Sequence, residues 1–437
     1  ACGFGTHEQP GRVRTLGLAE AEGLRLPGGL HCPLVLGGLA AADGWRALAR
    51  WADLGELERR APATVAFDAS PGGEFAYWDN SSVLAAAVRR AGVARQGYAK
   101  LRAPRRAFFQ ALAQGPEAGL GSVRFGAKAR ELSGELAQDL GPLAGRLAPE
   151  GAQLSAATLW LGAAGSYSTA HYDSFHNVFI MLGGEKHMLL SPPADAHLFR
   201  IHPGTHPLAR QARRHFGRSA NGSASVSATA AAGALAGARV LEVRLHAGEA
   251  LFIPAGWLHH VTANSTAVSL SLTALPPEHD EFNAWMRQGG AAVLPFLARG
   301  QWPPRRFASS LRVFVRALLK SLGFGPGSDT YAWDPLRLLL ASSYGPETRA
   351  ELGFPGALPE FEDCGRASAP DRRAAEAAAA EVAARLRGFP EDLRGLYLMP
   401  YLETAISMVA PGGSGDPAQI MLGAMGFVEA CLKPGKP

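Results

Sequence analysis

Lysine is scarce in this chain of 437 residues: of 43 basic residues only Lys100, Lys128, Lys186, Lys320, Lys433 and Lys436 are Lys. The rest are Arg, and no block of like charge marks a nucleic-acid tail. The net charge of +5 is spread over the whole length. It permits nucleic acid as a partner and does not favour it. Pairs such as Arg213-Arg214 and Arg305-Arg306 read as solvated surface. Cysteine is also rare. Cys2, Cys32, Cys364 and Cys431 lie far apart with no CxxC spacing, which excludes a zinc finger or thioredoxin-type site. No disulfide scaffold is expected, and this usage fits a reducing compartment such as cytoplasm or nucleus. No apolar run reaches the roughly 18 residues of a membrane span, and no Gly-X-Y period occurs, so transmembrane and collagen-like chains are excluded. The chain begins at Ala1 and not Met, which leaves open a targeting segment lost from its start.

What is present is globular. The chain is 47% hydrophobic, long enough for two or three domains with ample core. An N-terminal tail covers 1–27. Residues 28–150 read as a mixed α/β region: an apolar run Pro33–Leu36, a helical pattern around Trp45, Leu48 and Trp51, short strands in 64–78, and amphipathic stretches Val83–Ala91 and Leu132–Leu147. Over 151–276 the texture changes to short apolar runs broken by Gly and Pro: Thr158–Leu161, Val178–Leu182, His187–Leu190, Val240–Leu245, Ala250–Ile253 and Val268–Leu272. Close spacing with turn signals between predicts an all-β sandwich or barrel. Residues 217–238 are rich in Gly, Ala and Ser and read as a flexible insertion. From 277 to 437 the pattern is helical. Leu311–Leu322 carries Arg312, Arg316 and Lys320 on its wet side, Arg372–Arg387 is Ala-rich, and Pro400 should break or kink a buried helix over Leu393–Ala410.

Eleven of the 13 His fall between His171 and His279. The segment Gly165-Ser-Tyr-Ser-Thr-Ala-His171-Tyr-Asp173 reads as a strand, on which residues i and i+2 share a face. His171 and Asp173 then project together, as two corners of a metal site. A third ligand is expected from Ile253-Pro-Ala-Gly-Trp257-Leu-His259-His260, where an apolar strand ends in a turn followed by two His. Two His and one carboxylate leave coordination positions open, which suits non-haem Fe(II). Alone, an HxD pair usually reflects ordinary local hydrogen bonding. Here it is joined by Lys186, the single Lys between Lys128 and Lys320, at the head of a core strand. A buried Lys is costly unless it meets an anion. Counting by two from His171 reaches Asn177, whose amide would face the same interior.

These features resemble the JmjC family, in its branch of small protein hydroxylases. The resembling stretch runs from about Leu159 to Leu275 and includes Leu161-Gly162-Ala-Ala-Gly165, His171-Tyr-Asp173, Asn177, Gly183…Lys186, Ser191-Pro-Pro, Gly248-Glu249 and Ile253-Pro-Ala-Gly-Trp-Leu-His259. The resemblance implies an α+β fold: a double-stranded β-helix (jelly-roll, cupin-type) with an N-terminal α/β flanking region and C-terminal helices that cap the barrel or form a homodimer. It implies Fe(II), with 2-oxoglutarate and O₂ as co-substrates. His171, Asp173 and His259 match the metal ligands, and Lys186 the partner of the distal carboxylate of 2-oxoglutarate. Ser168 matches a hydroxyl contact to that carboxylate, with Thr169 adjacent, and Asn177 a co-substrate-contacting amide. The family's further polar contact after the last His has no Asn here; Ser269, Ser271 and Thr273 occupy that strand. The implied activity is hydroxylation of an amino-acid side chain in a protein or peptide substrate. Histone lysine demethylation, RNA modification and a catalytically silent cupin acting as a binding module are the alternatives.

Overall fold

The computed structural model describes residues 2–6, 9–17, 20, 31–39, 50–92, 97–132, 134–135, 138–139, 147, 157–214, 216–218, 224–225, 235–290, 304–322, 334–354, 367–409 and 416–431. The expected helical pattern at Trp45 and Leu48, most of Leu132–Leu147 and most of the 217–238 insertion lie outside them. The chain forms two compact units that interleave in sequence. The first comprises 1–76, 96–192 and 214–276; the second comprises 77–95, 193–213 and 277–437.

The first unit is built from strands β1 (Gly11–Arg12), β2 (Arg14–Gly17), β3 (Leu34–Gly37), β4 (Thr64–Ser70), β5 (Ala99–Pro104), β6 (Ser122–Lys128), β7 (Thr158–Gly162) and β8 (Tyr167–Tyr172). It continues with β9 (His176–Gly183), β10 (Glu185–Ser191), the short β11 (Gly217–Arg218) and β12 (Ala224–Ser225), then β13 (Leu241–His246), β14 (Ala250–Ile253), β15 (Leu258–Ala263) and β16 (Ala267–Ala274). One sheet has the order β1-β13-β10-β15-β8, and the other β2-β3-β14-β9-β16-β7-β6-β4-β5; β11 and β12 pair with each other. Successive strands β8, β9 and β10 alternate between the two sheets, as do β13 to β16. That alternation is the double-stranded β-helix, here within an α+β chain. The runs read from the sequence each become one strand, because a period of two lets one side face the opposing sheet.

The inward face joins Phe179 and Met181 of β9, Met188 and Leu190 of β10, Val243 and Leu245 of β13, Leu251 and Ile253 of β14, and Trp257 in one core. The outward face of the larger sheet is apolar as well. Leu159, Leu161, Ile180 and Leu270 pack with Leu57 of helix Leu54–Arg60 and Phe108 and Leu112 of helix Arg105–Gln114. Strands buried on both sides read as unbroken apolar runs.

The four cysteines are not all independent. Cys2 and Cys32 form a disulfide with Cα atoms 5.5 Å apart, which overturns the expectation drawn from their spacing. No local motif announces this pair. β2 runs parallel to β3 from Arg14↔Leu34, and the chain before β1 doubles back, with Gly5 and Gly11 both bonded to Val240 O and Phe4 stacked on the Trp257 that donates to His31 O. Cysteine usage therefore gives no support to a reducing compartment. A link across 30 residues should stabilise by about 3.5 kcal/mol through the unfolded chain. Cys32→Ser is expected to lower the urea midpoint of non-reduced protein accordingly. Dithiothreitol should then shift the wild type and leave the variant unmoved; equal midpoints for the two proteins would rule the link out.

The second unit is helical. Helix Pro304–Ser321 buries Leu311, Phe314, Val315 and Leu318 while Arg316 and Lys320 are exposed, so its basic residues stand on an ordinary wet face. Helix Ala369–Leu386 starts on Pro at its first turn with Ser368 capping Asp371 N–H. Pro400 lies inside helix Glu391–Val409 and does not end it, so of the expected break or kink the break does not occur. Burial of Tyr401, Leu402, Ala405 and Ile406 beyond it outweighs the one backbone hydrogen bond that Pro removes. No helix among the described residues is long and apolar enough to cross a membrane.

Candidate metal centre

Strands β8 and β15 pair antiparallel with His171 directly opposite His259, and the two rings are 4.2 Å apart. Asp173 follows β8 immediately. Its Oδ2 lies 3.7 Å from His259 Nε2, and ligand atoms of all three residues fall within 4.8 Å of one another. Each His is held by its other nitrogen. His171 Nδ1 donates to Thr169 O at 2.7 Å and His259 Nδ1 donates to Trp257 O at 3.0 Å. A carbonyl only accepts, so both Nδ1 atoms carry the proton, which in the neutral rings puts the lone pair on Nε2, the atom that would bind a cation. The donor set, two imidazoles and one carboxylate converging from one side, fits the metal predicted from the sequence.

The loop before His259 is locked to the opposite strand. Pro254-Ala255-Gly256-Trp257 closes a turn through Trp257 N–H to Pro254 O, with Gly256 at φ +80° in the third position, where a side chain would be strained. Gly256 N–H donates to Asp173 O at 2.7 Å. Ala255 N–H donates to His176 Nδ1, and the buried Trp257 stacks on Phe4 and donates to His31 O. His260 points the other way, against Tyr167 and Phe216.

A register shift between His259 and Val261 matters for the neighbouring pocket. His171 opposes His259, but Ser168 opposes Val261. Two residues on β8, Thr169 and Ala170, thus face one on β15, His260, and this bulge turns Ser168 to the same side as His171. Thr169 is buried elsewhere and contributes its backbone carbonyl to His171. Asn177 does face the interior, on one side of β9 with Phe179 and Met181, but it is not on the strand of the His/Asp pair. The chain turns at Asp173–Phe175 and β9 belongs to the opposing sheet. A count by two assumed an unbroken strand. Asn177 Oδ1 is buried without a hydrogen-bond partner.

Lys186 is 8% exposed, on the inward side of β10. Its Nζ donates to Ser269 Oγ at 2.9 Å and lies 4.8 Å over the Phe179 ring. No carboxylate pairs with it among the described residues. Burial first, then the nearby positive charge of Arg124, lower its pKa to about 7. The strand after the last His thus supplies hydroxyls: Ser269 takes Lys186, and Ser271 takes the Trp160 indole N–H at 3.1 Å. Trp160 lies flat over Gly126, its cross-strand partner on β6, where a Cβ would come within 2.3 Å of the indole ring.

Two residues of this pocket were not singled out from the sequence. Arg124 of β6 is one of many Arg, and composition hid it. Trp160 sat in an apolar run. Only the alternation Val123-Arg124-Phe125, with both neighbours in the outer core, carried the signal that Arg124 faces inward.

A second group, His202, His206 and Glu351, also lies within 4.8 Å, in the helical unit. Its hydrogen bonds oppose metal binding. His206 Nδ1 accepts from Leu208 N–H, which places the proton of the neutral ring on Nε2, the atom facing Glu351 at 3.7 Å. Burial and the Arg213 charge push its pKa down to about 3. Arg213 donates to Glu351 at 2.7 Å, so the carboxylate already has its cation.

A family profile described as a cupin-like domain matches residues 30–275. Among curated proteins, the chain is 28% identical over 118 residues to "Lysine-specific demethylase JMJ31" of Arabidopsis thaliana, covering 27% of this chain and 20% of that protein. It is 26% identical over 127 residues to "Bifunctional peptidase and (3S)-lysyl hydroxylase JMJD7" of Homo sapiens, covering 26% and 40%. It is 28% identical over 112 residues to "Jumonji C domain-containing protein 5" of Drosophila melanogaster, covering 26% of each. The chain thus spans less than half the length of each of these relatives. Since the profile extends over more than half of the 437 residues and takes in both metal-facing strands, the chain belongs to the JmjC-type cupin-like family.

Proposed function

We propose that the protein is an Fe(II)- and 2-oxoglutarate-dependent oxygenase that hydroxylates an amino-acid side chain of a protein substrate. One observation carries the reading: two imidazoles and a carboxylate converge within 4.8 Å, on the same interior as a buried Lys with no acidic partner among the described residues. The family works with Fe(II) and 2-oxoglutarate, and the pocket offers a place for each. His171, Asp173 and His259 would hold the metal. Lys186 Nζ would meet the distal carboxylate, and Asn177 Oδ1 and the Ser168 hydroxyl would complete the polar lining.

When bound, Fe(II) with 2-oxoglutarate supplies the oxidising power that O₂ alone lacks toward a C–H bond. The chain's own part is geometric. The Nδ1–carbonyl bonds fix both imidazoles in one tautomer and one rotation. The Gly256–Asp173 bond holds the two metal-facing segments in register. Burial under the Phe179 ring keeps bulk water from the Lys186 ammonium, which strengthens its attraction for a carboxylate.

The hydroxylase and demethylase readings differ in product. Incubation of the Fe(II)-loaded protein with 2-oxoglutarate and unmodified or methyl-lysine peptides should give a mass gain of one oxygen on unmodified peptides. Loss of a methyl group from methyl-lysine peptides alone would reverse the assignment. Absence of any succinate under both conditions, with no binding of either small molecule, would leave only the silent-barrel reading.

A further inference from the structure

A second cation shares the interior face with Lys186. Arg124 on β6 donates from one terminal nitrogen to Ser168 Oγ at 3.1 Å and from the other to Asp68 Oδ2 at 3.4 Å. Its Nε is buried without a partner. The guanidinium is boxed by aromatic rings: Phe75 at 4.3 Å, Trp160 at 5.5 Å and Tyr98 at 5.9 Å. Such a box holds the planar fork in one orientation while leaving it charged. Asp68 is the one carboxylate in the pair, it is reached at the long end of hydrogen-bond range, and its side chain is 20% exposed. Among the described residues, Asp68 is thus the one carboxylate that Arg124 pairs with, and Lys186 pairs with none.

The hydroxyls carry the argument further. Ser168 Oγ accepts from Arg124 and Ser269 Oγ accepts from Lys186. A hydroxyl whose oxygen is occupied by a cation turns its proton outward, as a donor. Two cations, each holding one serine, thus present two O–H groups to whatever lies between them. That is a recognition pattern for a carboxylate, whose two oxygens accept several hydrogen bonds.

Building on the co-substrate reading above, we propose that Arg124 is a positioning residue for the distal carboxylate: it orients Ser168 as a donor and, with Lys186, makes this pocket select 2-oxo acids that carry a second carboxylate. Arg124 also raises the cost of charging Lys186, so each cation is best tolerated when an anion sits between them.

The test is calorimetric titration of the Fe(II)-loaded protein under argon, below pH 7 so that Lys186 is protonated. The probes are 2-oxoglutarate and 2-oxopentanoate, which has the same carbon chain with a methyl group in place of the distal carboxylate. Wild type should prefer 2-oxoglutarate by about a hundredfold, the scale of two charge-assisted contacts. Arg124→Gln should lose about tenfold of that preference, with 2-oxopentanoate affinity unchanged. Arg124→Lys should recover part of it. The pH above which 2-oxoglutarate affinity falls should move upward in Arg124→Gln, a change that a merely structural role would not produce. Ser168→Ala should cost a similar factor, and adding Arg124→Gln to it should cost little more, which keeps the idea testable if Arg124→Gln folds poorly. Equal weakening of both acids, or an unchanged preference with an unmoved pH profile, overturns the proposal. A wild type that binds neither acid overturns the co-substrate reading itself, and this outcome is distinct from failure of Arg124 alone.

Discussion

Asp173→Ala and His171→Ala are each expected to reduce substrate-dependent succinate formation by at least about a thousandfold, or roughly 4 kcal/mol of barrier. The expectation follows from the count of donors. Three side chains reach the site, on two elements joined by the His171↔His259 pairing and the Gly256–Asp173 bond, and among the described residues no fourth ligand group belongs to that cluster. Removing one leaves a two-coordinate site that binds divalent cations weakly. His260→Ala provides the contrast. Its ring lies on the other side of β15 against Tyr167 and Phe216, so metal affinity should stay within about threefold of wild type, less than one hydrogen bond's worth of free energy. Titration of the metal-free protein with Fe(II) or Mn(II) reads both effects without relying on turnover. Full activity in Asp173→Ala would refute the metal assignment.

The second large effect concerns Lys186 and pH. The buried ammonium has its pKa lowered to about 7, by burial first and by Arg124 second. Phe179 and Ser269 are its other contacts, and neither titrates near neutrality. A dicarboxylate co-substrate binds the protonated form. Below pH 7 the proton is already present and affinity should be flat. Above pH 7 binding must take up a proton, and affinity should fall, approaching tenfold per pH unit in the limiting slope. Lys186→Met should cost about a hundredfold in 2-oxoglutarate affinity below pH 7, the loss of one partner from a buried charged contact. The same variant should abolish the pH slope. Calorimetry at several pH values in buffers of different ionisation enthalpy would count the proton directly. A wild-type affinity that does not change from pH 6 to pH 9 would contradict the role given to this ammonium.

Much of the fold was legible because burial on two faces leaves a mark in one dimension. Strands β7, β9, β10, β13, β14 and β16 coincide with apolar runs, and each run was short because a strand crosses the barrel in a few residues. Helix Ala369–Leu386 was legible from the propensity of its Ala-rich stretch Arg372–Arg387. That Pro400 does not break its helix was not legible, since a propensity argument carries no information about the packing that holds a helix together beyond a proline. The disulfide was illegible for a similar reason. Cys2 and Cys32 meet through the doubling back of the chain before β1 and the β2–β3 pairing, both long-range contacts.

For the site, residue types and spacing by themselves determined the local pieces: the His171-x-Asp173 pair, the Trp257-x-His259 turn and a lone Lys186 in an Arg-rich chain. Those pieces are local because a strand period of two and a turn of four residues fix which side chains travel together. Tertiary structure alone decided how they meet. It placed β8 opposite β15, set the bulge that turns Ser168 inward and Thr169 away, moved Asn177 to the facing sheet, and brought Arg124 and Trp160 from earlier strands to the same interior. Register shifts and sheet pairing are properties of two chains of residues at once, so no single segment could have announced them.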